Sequence, residues 1–98
     1  MSNAEKYKEI FRLKKMLEAS NVQFTFLGGF LGGYQICEVD GCDGFDVIEH
    51  DHSSGHERDR LEIMGLLTAA ELKHDYVKGN LTAENVFKRI QKAKEARA

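Results

Sequence analysis

Cysteine is scarce in this chain: Cys37 and Cys42 are its only two, too few for the disulfide framework that holds many small secreted domains together. In a reducing cytosol both read as thiols, with a bond between them as the alternative. Long apolar runs are lacking as well. The stretch from Phe24 to Leu31 is broken by Thr25 and by Gly28-Gly29, far short of the ~20 residues that cross a bilayer, so no membrane segment is expected. The amino terminus is charged from Glu5 onward and has no apolar region with a cleavage site, so it does not read as a secretory signal; a cytoplasmic location is the expectation. No Cys-x-x-Cys pair is present to fix half of a zinc site. Asp40, Asp43 and Asp46 recur at three-residue steps rather than at the alternate positions of a calcium loop, which makes them turn formers first.

What the chain does contain suits one folded unit. Its 98 residues can bury a single core, although roughly a third or more of the unfolded surface stays exposed at this size. Six Phe and three Tyr supply bulky core material. The net charge of -2 conceals a segregation: residues 38–75 hold eleven acidic and three basic side chains, whereas residues 86–98 hold five basic and one acidic. Separated charge of this kind favours docking of the two segments on each other or on a second copy.

Between Ala4 and Ser20 there is no Gly or Pro, and Tyr7, Ile10, Leu13 and Leu17 recur at three- and four-residue steps, the stripe of an amphipathic helix that Asn21 can close in a left-handed conformation. Val22-Gln23-Phe24-Thr25-Phe26 alternates as a half-buried strand. Gly28-Gly29-Phe30-Leu31-Gly32-Gly33 reads as a hairpin tip, Tyr34–Val39 as the return strand, residues 40–44 as a turn, and Phe45–His50 as a third strand. Leu61–Leu67 is ambiguous between a fourth strand and a short buried helix. Thr68-x-x-Glu71 forms a capping box, and a second helix starts at Thr82 and buries Val86, Phe87, Ile90 and Ala93. The fold class expected over residues 5–97 is a single α+β domain: an N-terminal helix, a three- to four-stranded antiparallel meander, and one or two C-terminal helices packed on one sheet face.

Chemistry concentrates in Glu49–Glu57, where three of the four histidines lie. His50, His52 and His56 could ligate zinc or another divalent metal, with Asp51, Glu57 or Cys42 completing the shell, and a hydrolase would then be possible; a polar surface loop is the plain alternative. His74 stands alone and reads as surface. Phe30, Leu31 and Tyr34, beside mobile glycines, are candidates for contact with a protein partner, the alternative being that they fold back on the first helix. The basic terminal helix, with Lys88, Arg89, Lys92, Lys94 and Arg97, could touch nucleic acid, yet it lacks interleaved aromatics in an acidic chain; a solvated helix face explains it as well.

Gly33-Tyr34-Gln35-Ile36, Asp46–His50, Leu61-Glu62-Ile63-Met64-Gly65-Leu66 and Gly79–Phe87 together resemble small proteins encoded by phages and prophages of Gram-positive bacteria, over most of residues 5–93. The resemblance brings no catalytic residues with it. It implies the cytoplasm of a phage-bearing host and favours an accessory role in which the chain binds a protein partner or itself. No cofactor is expected, and a homodimer is expected as one form because a small sheet with an open edge can pair with its copy.

Overall fold

A computed structural model describes residues 7–30, 33–49 and 60–97. In chain order they form α1 (Lys8–Ala19), β1 (Thr25–Phe30), β2 (Gly33–Cys37), β3 (Asp46–Glu49), β4 (Leu61–Met64), the one-turn helix α2 (Ala69–Leu72), β5 (Val77–Leu81) and α3 (Ala83–Arg97). The strands make one antiparallel sheet in the order β1-β2-β3-β4-β5. This is the α+β arrangement that the sequence predicts, with five strands in place of three or four.

The apolar stripe of α1 is fully buried at Ile10, Leu13 and Leu17, and that of α3 at Val86 and Ile90. Both pack on one face of the sheet, against Ile36, Val47, Leu61 and Ile63. The helix end is set by Asn21, whose φ of 58° turns the chain: Val22 N–H donates to Leu17 O at 3.0 Å and Asn21 N–H to Glu18 O at 3.1 Å. Together these bonds satisfy carbonyls that the last turn leaves open, and Val22 and Leu17 are both buried beside them.

The additional strand is β5. Gly79 and Asn80 interrupt its alternation, and a register shift opposite Leu61/Ile63, with Asn80 at φ 63°, is how the sheet absorbs them. Upstream, the capping box at Thr68 forms in both directions, Glu71 N–H to Thr68 Oγ1 at 3.2 Å and Thr68 N–H to Glu71 Oε1 at 2.9 Å. The helix it starts nevertheless ends after one turn, since none of its residues is buried and a helix this short gains little without an apolar face to cover.

Arg89 ties α2 to α3. Its guanidinium donates to both carboxylate oxygens of Glu71, at 2.8 and 2.7 Å, and to Leu66 O at 2.8 Å, while Lys78 Nζ stands 3.8 Å from Glu71. The bond from Arg89, followed by the Thr68 backbone bond, lowers the Glu71 carboxyl from its ordinary 4.5 to about 2. Because this folded value is depressed, its contribution to stability is complete above pH 4.5 and fades as pH falls through about 2. Arg89→Met should therefore lower stability by about 1 kcal/mol at neutral pH, solvent screening keeping the effect modest. Urea unfolding at a series of pH values should show that deficit shrinking between pH 4.5 and 2; a deficit constant across that range refutes the assignment.

One glutamate ties the sheet to α1, and another ties α1 to α3. The residue preceding α1, Tyr7, makes no side-chain cap; instead the fully buried Glu49, at the end of β3, accepts the Ile10 N–H at 3.0 Å. Glu9, also buried, accepts the Ala83 N–H at 2.8 Å at the start of α3 and takes the Arg12 guanidinium at 2.8 Å. Arg12 reaches on to Glu84. Carboxyl oxygens thus meet the positive ends of both long helices, where dipole and open N–H groups favour them. Thr82 completes the α3 start by accepting from Asn85 N–H at 3.1 Å.

Candidate binding face

With both long helices on one side, the other side of the sheet carries the alternate residues of each strand. Register places Leu27, Gln35, Ile48 and Glu62 in one row across β1 to β4, and Thr25, Cys37, Asp46, Met64 and Val77 in the next. Leu27 and Met64 are 45% and 50% exposed, high for large apolar side chains on a sheet. Ile48 and Met64 lie on one diagonal of the β3–β4 pair, Asp46 and Glu62 on the other, so apolar and acidic groups alternate. The Gln35 amide donates to Asp46 Oδ2 at 2.9 Å, fixing one corner.

A cavity of about 150 Å³ opens between Gln35, Ile48, Met64 and Val77. That is below the roughly 300 Å³ at which small-molecule sites begin, and is about the size of one side chain. Beside it, burial first, then the carboxylates of Glu38 and Asp46, push the Cys37 thiol up, which favours its protonated form. A wider cleft of about 420 Å³ lies between the end of α1 and the start of β1. Its charged groups are engaged with each other: Lys14 Nζ sits 3.1 Å from Glu18 and 5.4 Å from the centre of the Phe26 ring.

The sequence-derived candidates are placed as follows. Tyr34 is half-buried on the helix side, its ring 4.9 Å from Phe11, 5.8 Å from Tyr7 and stacked on Phe26 at 5.3 Å. That ring also lies over Gly28, where a Cβ would come within 3.0 Å of it, so glycine in β1 makes room for the aromatic cluster. Phe30 ends β1, paired with Gly33. Leu31, His50, His52 and His56 lie outside the described residues. Among the described residues, no group of three or more His, Cys, Asp or Glu side chains could hold a metal ion, and His74 is exposed. Along the basic helix, Arg89 is bonded to Glu71 and Lys94 lies 3.5 Å from Asp40, whereas Lys88 and Lys92 are exposed. Also among the described residues, no helix is long and apolar enough to cross a membrane.

Sequence reasoning missed the apolar members of the face. Leu27 falls between the strand expected over 22–26 and the glycine-rich tip expected from Gly28, and Met64 and Val77 belong to segments whose strand character the sequence leaves open. Comparison with known proteins returns nothing: no family model, no curated protein and no solved structure matches the chain.

Proposed function

We propose that this chain is a non-enzymatic binding protein, an accessory protein of the phage type, that takes a protein partner on the open face of its sheet. The observation that supports the reading is the diagonal of Ile48 and Met64, extended by Leu27 and Val77 and crossed by Asp46 and Glu62. Exposed apolar anchors around a side-chain-sized cavity are the kind of patch that marks a protein-contact surface, and Met is a residue favoured in such surfaces. Asp46 and Glu62 put two carboxylates on this face, so a partner meets negative charge on approach.

A photo-reactive phenylalanine analogue at position 64 tests the reading in the producing cell. The expected result is a discrete adduct from position 64 and none from the same analogue at position 88, on the exposed side of α3. Equal labelling from the two positions, or none from position 64, removes the open face as the binding surface.

A further inference from the structure

The two edges of the sheet differ in how they are protected. At one edge β5 carries Lys78, a register shift and Asn80 in the left-handed region, all features that discourage pairing with another strand. At the other, β1 reads Thr-Phe-Leu-Gly-Gly-Phe, six residues without a charge or a proline. Its irregularity comes late, between Gly28 and Phe30, so Thr25 to Gly28 remain regular. Leu27, Gly28 and Gly29 are exposed along it.

We infer that β1 pairs antiparallel with β1 of a second copy of this chain, about a two-fold axis through Leu27, making one continuous sheet across the dimer. Parity selects this kind of register. Residues directly opposite each other in an antiparallel pair lie on the same face, so a two-fold axis perpendicular to the sheet must pass through a residue and not between two. With the axis at Leu27, the two Leu27 side chains meet on the open face and cover each other. On the helix face each Phe26 falls opposite Gly28 of the other copy, where the Tyr34 ring that overlies that glycine offers it an aromatic neighbour. The sequence of β1 is thus complementary to itself in this register.

This self-association is separate from the open-face reading, since it uses the edge of the sheet and not its face. One short strand per copy buries less than a standard interface of roughly 1,200 Å², so the dimer is a reversible one with a dissociation constant on the order of micromolar.

Sedimentation of the full chain across a concentration series tests it, with circular dichroism confirming that each variant is folded. The wild type should move from the 11.1 kDa monomer toward twice that mass. Leu27→Lys, at a half-exposed position that tolerates a lysine, should stay at the monomer mass throughout. Leu27→Cys under mild oxidation should give a covalent dimer that neither the wild type nor Val77→Cys gives. A wild type that is monomeric at every concentration, a dimer that survives Leu27→Lys, or cross-linking at Val77→Cys as strong as at Leu27→Cys overturns the inference. A dimer lost in Met64→Lys but kept in Leu27→Lys rejects the edge while leaving the open-face reading intact; loss of the position-64 adduct with Leu27-dependent dimerisation rejects the face and keeps the edge.

Discussion

Glu49→Ala should lower the melting temperature by about 10 to 20 °C, the equivalent of about 3 kcal/mol in a domain of this size. The glutamate side chain is wholly excluded from solvent and accepts the Ile10 N–H in the first turn of α1, a helix whose own starting residue supplies no cap. Truncation leaves that donor without its acceptor in a dry place, a loss worth roughly 1 to 3 kcal/mol, and adds the cavity left by the missing atoms. The competing effect is relief from burying a polar carboxyl group, which can make replacement of buried ionisable groups by apolar ones neutral. It does not dominate here, because alanine neither fills the space nor accepts the bond. Glu49→Gln keeps an acceptor and nearly the same volume, so it should cost less than half as much. Thermal unfolding followed by circular dichroism distinguishes the cases; Glu49→Ala melting within a degree or two of the wild type means that the contact contributes nothing to the fold.

That role for Glu49 is instructive about what a sequence discloses. The helix stripes, the Asn21 stop and the Thr68 capping box are legible because each rests on neighbours within four residues, where helical periodicity and cap chemistry act. Glu49 is not legible in this way: it occupies an inward position of a strand, 39 residues from the backbone group it satisfies, and local pattern assigns a glutamate to solvent. Glu9 poses the same difficulty at a separation of 74 residues. The candidate face was only partly legible for a related reason. Alternation in β3 places Ile48 and Asp46 outward, but whether they join a surface depends on β4 and β5 pairing alongside, and Gly79-Asn80 hides β5 from any test of period. Glycine also misdirected the reading of β1, since Gly28-Gly29 suggests a tip where the strand in fact continues to Phe30. There the glycine serves the Tyr34 ring across the β1–β2 pair, a contact that depends on the register of the hairpin and not on the local sequence pattern.

Gly65→Ala carries the second large effect, and it links stability to the face. Gly65 has φ 90°, and a Cβ added there would stand 2.8 Å from Gly44 O and 3.0 Å from Phe45 Cα, both backbone atoms that cannot swing aside. The backbone conformation alone costs an alanine roughly 1 to 2 kcal/mol, and overpacking against fixed neighbours adds about 1 to 3. Gly44→Ala separates the two contributions, because Gly44 also has positive φ, at 70°, but has nothing within 4 Å of its would-be Cβ. Urea unfolding should accordingly show Gly44→Ala losing about 1 kcal/mol and Gly65→Ala about 3. Equal losses would mean that the close approach of the two turns is not maintained. Since Gly65 directly follows Met64, which pairs with Asp46 just after Gly44-Phe45, this approach also fixes the end of the β3–β4 register. Any displacement that relieves the clash must therefore move Met64 relative to Asp46 and Ile48, so Gly65→Ala should weaken labelling from position 64 even at temperatures where the variant remains folded.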